Sequence, residues 1–100
     1  MQLKTLALTT VFALANTAMA TRYNVANCGK ATNMDGSSTK AACSQVGAEL
    51  CDRTGLTRCI VDENKFGDFQ NACKDNGETE VYKRPGAEDH FTATRLAGCI

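Results

Sequence analysis

The sequence contains no tryptophan, one proline and one histidine, and its charges are balanced. Eleven Lys and Arg residues face eleven Asp and Glu residues, and no basic run exceeds two residues. Such a chain has no bulk electrostatic attraction for nucleic acid or for an anionic membrane. We therefore expect no nucleic-acid partner.

The motifs of common enzymes and metal sites are also missing. The cysteine spacing is C-x14-C-x7-C-x7-C-x13-C-x25-C, which contains none of the C-x2-C pairs typical of zinc sites. There is no G-x-S-x-G nucleophile motif and no glycine-rich phosphate loop. We therefore expect no metal, no cofactor and no enzyme activity.

The first twenty residues have the character of a secretory signal peptide. Lys4 precedes an apolar stretch from Leu6 to about Ala15, and Ala18-Met19-Ala20 provides small residues for cleavage. A membrane anchor would need about 20 apolar residues, and threonines and an asparagine interrupt this stretch. We predict a signal peptide at 1–20, a single domain at 21–100 and an extracellular location.

Six cysteines in so short an exported chain predict a disulfide framework. Each bridge contributes about 2–4 kcal/mol, which matters in a domain with a modest core. The sequence leaves many connectivities open, and plausible proximity favours three pairs. These expected bridges are Cys43–Cys73, Cys28–Cys59 and Cys51–Cys99.

Hydrophobic periodicity predicts a small α+β domain, a two-layer sandwich of about four short antiparallel strands and two helices with three disulfides. Ser38 or Thr39 is the expected cap of the first helix, and Asp62 that of the second. Pro85-Gly86 matches the centre of a type II turn. The predicted elements are a strand at 21–28, a loop at 29–38, a helix at 39–55, a strand at 56–61, a helix ended by Asn76-Gly77, a strand at 78–84 and a return strand at 90–100.

One cysteine pattern points to a known family. Cys43 opens a predicted helix, Cys59 lies sixteen positions later in a strand, and Cys73 follows fourteen positions after that. An acidic helix start at 62–63 and the aromatic Phe69 accompany these spacings. Across residues 43–73 the chain resembles the "killer protein six" class of smut-fungus virus toxins.

The resemblance implies an α/β sandwich with a small antiparallel sheet and paired helices, in a secreted fungal protein. Many effectors of plant-pathogenic fungi are similar to these toxins in fold. No catalytic residue of the family carries over to this chain. The four positions that match the pattern, Cys43, Cys59, Cys73 and Phe69, have structural roles.

His90 is the one residue that raises a question of catalysis. With Glu80 and Arg84 it could imitate the His, Glu and Arg set of small secreted fungal ribonucleases. The simpler interpretation makes His90 a turn residue beside Glu88 and Asp89. We favour the simpler interpretation, because a second acid–base partner is not evident in the sequence.

These observations favour a secreted, cysteine-rich, killer-toxin-like effector, a virulence protein of a fungus that lives on a plant. Such a protein would be a monomer that binds a host protein or surface molecule in the apoplast through loops 29–38 and 85–90. The first alternative is an antimicrobial toxin against competing microbes, the one case in which membrane contact is expected. The second alternative is a small ribonuclease-like hydrolase.

Overall fold

The computed structural model describes residues 20–53 and 55–100, and within these it has a five-stranded antiparallel sheet with three helices. This confirms the small α+β fold, with one strand and one helix more than expected. The signal peptide predicted at 1–20 lies outside the described residues, except for Ala20. The elements are β1 (Tyr23–Lys30), β2 (Asn33–Met34), α1 (Gly36–Gln45), β3 (Glu49–Arg53), β4 (Leu56–Asp62), a 3₁₀ turn (Glu63–Lys65), α2 (Phe66–Asp75), β5 (Val81–Lys83) and α3 (His90–Leu96).

Strand β1 lies at the centre of the sheet. Its first half pairs with β4, from Tyr23 opposite Asp62 to Ala26 opposite Cys59, and its second half pairs with β5 on the other side. Strand β2 extends the end of β1 as a short hairpin, and β3 pairs with the outer side of β4. The sheet therefore has β3 at one edge and β5 at the other.

Helices cover both faces of the sheet. Neighbouring residues of a strand point to opposite faces, so each face carries its own set of buried side chains. Ala26 and Val61 face α1 and α2, where Phe69 is fully buried and forms the largest part of the core. Val25 and Ile60 face α3 through a smaller cluster. The pair α1 and α2 makes the expected sandwich with the sheet, and α3 adds cover on the opposite face.

The structure corrects the predicted helix at 39–55. Helix α1 begins after Asp35, whose side chain accepts a hydrogen bond from the Ser38 N–H at 3.0 Å, so neither Ser38 nor Thr39 is the cap. It ends before Gly47, which has the positive φ of 68° common after helices. Residues 49–53 form β3 instead, because backbone pairing with β4 outweighs the helical spacing of Val46 and Leu50.

The predicted return strand at 90–100 is also wrong, since this segment forms α3. Asp89 caps the helix by accepting a hydrogen bond from the Thr92 N–H at 2.7 Å. Gly98, with φ of 88°, follows its end. The β-branched threonines favoured a strand in the sequence, but the cap and the burial of Ala93 and Ala97 against the sheet favour a helix.

Two predicted elements agree closely with the structure. Strand β4 occupies 56–62, and Asp62 caps the following turn by accepting a hydrogen bond from the Asn64 N–H. Helix α2 ends at Asp75, before Asn76-Gly77 as predicted. The strand predicted at 78–84 is shortened to 81–83.

All six cysteines are paired, and each bridge joins the sheet to a helix or, for Cys99, to the chain just after α3. The expected Cys43–Cys73 and Cys28–Cys59 pairs are wrong, because Cys28 of β1 faces the end of α2 and Cys43 of α1 faces β4. The third expected pair, Cys51–Cys99, is present in the structure. The bonds are Cys28–Cys73, Cys43–Cys59 and Cys51–Cys99.

Candidate functional site

The most distinctive polar contact of the surface involves the single histidine. His90 is the first residue of α3, and its Nε2 lies 2.6 Å from Oε1 of Glu49, the first residue of β3. The His90 and Tyr23 rings pack edge to face, with their centroids 5.2 Å apart. Three elements therefore meet at the His90 ring.

The segment before α3 is held against β1, which fixes where His90 lies. Tyr23 and Glu88 exchange two backbone hydrogen bonds, of 2.7 and 2.9 Å. The Arg22 guanidinium donates to the carbonyl of Ala87 in the same segment. The start of α3 is thus attached to the start of β1.

A cleft of about 300 Å³ lies beside this contact, and we call it the His90 cleft. Its apolar lining residues come from the segment that follows α1 and from β4, and they include Ile60 and Val61. Its polar rim contains a phenol, two carboxylates, an ammonium and an imidazole. These rim residues are Tyr23, Glu49, Asp62, Lys65 and His90.

The His90–Glu49 pair is only half-buried, with 51% and 52% of the two side chains exposed. Water therefore screens the pair, and its contribution to stability is small. Nearby, hydrogen bonds from the backbone N–H and then the hydroxyl of Thr92 hold the pKa of Asp89 below its ordinary value. Asp89 thus stays an anion at the start of α3, next to His90.

The structure does not assemble the ribonuclease-like set of Glu80, Arg84 and His90. Oε1 of Glu80 lies 3.7 Å from Nζ of Lys30. The backbone carbonyl of Glu80 accepts a hydrogen bond from the Gly29 N–H, near the end of β1. Gly29 and Tyr23 are six residues apart on β1, about 20 Å at the rise of an extended strand. Glu49 is the carboxylate that meets His90, and neither interpretation from the sequence included it.

Sequence reasoning missed Glu49 for a clear reason. The contact joins residues 41 positions apart and requires β3, which the sequence analysis placed in a helix. Gly47 was the available signal, because a glycine after an apolar helical stripe commonly marks the helix end. With α1 ended there, residues 49–53 become a strand beside β4.

The other polar residues considered in the sequence have structural roles. The Ser38 hydroxyl lies within hydrogen-bond distance of two acceptors, the Asp35 carboxylate and the Asn76 carbonyl, and Thr39 links α1 to β1 by accepting from the Cys28 N–H at 2.9 Å. The loop expected at 29–38 consists mostly of the β1–β2 hairpin and the start of α1.

Within 20–53 and 55–100, no group of three or more His, Cys, Asp and Glu side chains is arranged to hold a metal ion. No helix in the same two ranges is long and apolar enough to cross a membrane.

Comparison with known proteins adds no relative. No protein-family model matches the chain, and neither a curated protein nor a solved structure matches it.

Proposed function

We propose that the protein is an exported fungal effector that binds a molecule of a plant host outside the cells that produce it. The observation that carries the proposal is that a separate disulfide attaches each of the three α-helices, or for α3 the chain just after it, to the sheet. Disulfides persist in oxidising, extracellular surroundings. A small crosslinked scaffold of this kind suits recognition, because it presents its surface with little loss of conformational freedom on binding.

The crosslinks are protected as well as numerous. Five of the six cysteines are at most 2% exposed, and Cys99 is half-buried. Exposed disulfides are the more easily reduced ones. Burial therefore favours persistence of the scaffold in host fluid.

The surface around the His90 cleft is the best candidate for target contact. Phe91 directly follows His90 and is 63% exposed, a large fraction for a phenylalanine. Aromatic residues are enriched at protein interfaces, where they contribute much of the binding energy. Lys65 and Asp62 on the cleft rim add charges that can select a partner.

The resemblance to the killer protein six class supports the same proposal. Helices α1 and α2 lie side by side on one face of an antiparallel sheet, the arrangement that the resemblance implies. Gln45 donates to Asp75 at 3.0 Å and the Ser38 hydroxyl lies 3.2 Å from the Asn76 carbonyl, so polar contacts join the two helices.

The test is binding and response in plant tissue with the oxidised protein. Phe91→Ala should abolish capture of a specific partner from host extracellular fluid and the accompanying tissue response. Lys74→Ala is the control, because Lys74 is exposed on α2, on the face of the sheet opposite α3, and it should retain both. Killing of competing microbes without any plant partner would reject the proposal in favour of the antimicrobial alternative.

A second candidate function, acid–base hydrolysis, is favoured by the His90–Glu49 contact. Glu49 engages Nε2, so it orients the imidazole and leaves Nδ1 as the nitrogen that accepts a substrate proton. Lys65 in the same cleft could stabilise negative charge on a phosphodiester.

This candidate has its own test. If it is correct, the oxidised protein should cleave homopolymeric RNA, and His90→Ala and Glu49→Gln should each reduce the rate about a hundredfold or more. Glu80→Gln, outside the cleft, should leave the rate unchanged. Equal rates for the wild type, His90→Ala and a buffer blank would eliminate the hydrolase.

A further inference from the structure

Strand β3 has an edge that no backbone pairing uses in the part of the chain described here. One side of Glu49–Arg53 pairs with β4, and within residues 20–53 and 55–100 no strand lies on its other side. Edge strands present unpaired N–H and C=O groups, which are templates for another strand. The sequence of β3 indicates which strand would pair with this edge.

The hydrogen bonds of the sheet establish which β3 groups point outward. Val25 and Gly29 of β1 bond towards β5, so the even-numbered residues of β1 bond towards β4. Following the registers across β4, the outward-pointing backbone groups of β3 belong to Leu50 and Asp52. Glu49, Cys51 and Arg53 bond inward to β4.

We propose that two copies of the chain associate through antiparallel pairing of their β3 strands, centred on Cys51. This pairing places Leu50 opposite the partner's Asp52. By symmetry, Asp52 lies opposite the partner's Leu50. The two pairs form four backbone hydrogen bonds between the copies. The inference does not depend on the identity of any host target.

The register follows from the positions of the outward groups. Two outward residues allow three symmetric registers, centred on Leu50, Cys51 or Asp52. The central register uses both residues in both copies, whereas each of the others pairs one residue with itself and forms half as many bonds. A centre on Asp52 would also place two carboxylates opposite each other, which is unfavourable.

The charges of β3 are self-complementary in the central register. Glu49 lies opposite the partner's Arg53, and Arg53 lies opposite the partner's Glu49. Both are exposed in the single chain, where Glu49 also contacts His90 through Oε1. These are non-hydrogen-bonded positions, where side chains of an antiparallel pair come closest. Charges on an edge strand usually discourage pairing, but here they alternate in sign to favour a second copy.

Two further features of the edge fit this partner. Leu50 is 39% exposed in the single chain and becomes the diagonal neighbour of the partner's Leu50. Asp52 lies opposite the partner's Leu50, which cannot balance its charge. Lys40 of the same chain already does so, since its Nζ lies 2.9 Å from the Asp52 carboxylate.

The interface is short, so the dimer is weak and dependent on concentration. Five residues a side give a smaller contact than a stable protein–protein interface has. The expected state is a monomer at micromolar concentration and a dimer approaching millimolar concentration.

Charge reversal provides the decisive test, by sedimentation velocity across that concentration range. Glu49→Arg and Arg53→Glu should each weaken self-association about tenfold, because each places like charges opposite one another twice. An equal mixture of the two variants should recover association at least to the wild-type level, since opposite charges then face each other. Recovery also demonstrates that both variants are folded.

Arg84→Glu, at the other edge of the sheet, is the matched control for net charge and should associate as the wild type does. Amide exchange gives the second readout: exchange at Leu50 and Asp52 should slow as concentration rises, while Arg58 on β4 should not change. A strictly monomeric wild type, a mixture that fails to associate, or loss of association in Arg84→Glu would overturn the proposal.

Discussion

His90 and Glu49 lie 41 residues apart in the chain, yet their side chains meet at 2.6 Å. Two residues after Glu49, Cys51 on the same face of β3 is bonded to Cys99, just beyond the end of α3. The two ends of α3 are thus attached to the same edge strand, one by a half-exposed polar contact and the other by a covalent bond. The polar end is the weaker attachment.

We predict that Glu49→Gln loosens the start of α3 without unfolding the domain. Amide exchange should become faster in the first turn of α3 and stay unchanged near Ala97, which the disulfide holds. The free energy of unfolding should change by no more than about 1 kcal/mol, because the pair is half-exposed. Glu80→Gln, which affects the exposed contact with Lys30, is the control. Unchanged exchange in the first turn of α3 would mean that the contact does not hold the helix.

The sequence predicted the elements whose local signals agree with their tertiary contacts. Helix α2 has Phe66 and Phe69 on one face, a 3₁₀ turn capped by Asp62 before it and Asn76-Gly77 after it. Strand β4 is apolar and β-branched and forms a central part of the sheet. In both elements, periodicity, ends and burial all favour the same structure.

The failures occurred where a local signal competed with a partner distant in the sequence. Val46 and Leu50 have helical spacing, but β4 supplies a strand partner for 49–53 that the spacing cannot reveal. Asp89 and Thr92 form a recognisable cap, but the threonines that follow favour a strand when considered alone. Glu49 lies in the first of these segments and His90 in the second, so the candidate site could not be predicted.

Removing single bridges should reveal their different loop lengths. Cys43–Cys59 closes a separation of 16 residues, and Cys28–Cys73 closes one of 45. Replacing both cysteines with alanine should lower the free energy of unfolding by about 3 kcal/mol for the first bridge and about 4 kcal/mol for the second. Urea unfolding at neutral pH measures both values. A greater loss for the shorter loop would contradict the chain-entropy explanation.

Acid should destabilise the domain through its helix caps. Hydrogen bonds from the Ser38 backbone N–H and then its hydroxyl hold the pKa of Asp35 below its ordinary value, and Thr92 has the same effect on the pKa of Asp89. A carboxyl with a lowered folded-state pKa stabilises the fold above its unfolded pKa of about 3.9, and this stability is lost as pH falls through the folded pKa.

The free energy of unfolding should therefore decrease as pH falls below about 4. Asn is also a good cap, so Asp35→Asn should have similar stability at pH 7 and a smaller decrease in acid. Denaturant titrations at a series of pH values measure the difference. An identical acid dependence in Asp35→Asn and the wild type would show that Asp35 contributes nothing to it.

Two phenylalanines provide a matched test of core and surface. Phe69 is fully buried between α2 and the sheet, whereas Phe91 is 63% exposed. Phe69→Ala should cost about 3–5 kcal/mol of unfolding free energy, and Phe91→Ala less than about 0.5 kcal/mol. Thermal and urea unfolding compare the two variants directly. Similar losses in both would contradict the assigned core, and would remove Phe91 as a surface probe for target binding.

Three disulfides attach the three α-helices, or for α3 the chain just after it, to one sheet. Disulfide mapping of the native secreted protein, by non-reducing digestion and peptide mass spectrometry, tests it most directly. We predict Cys28–Cys73, Cys43–Cys59 and Cys51–Cys99 in a chain that begins at Thr21, with no free thiol. Free thiols, a different connectivity or a retained leader would contradict it.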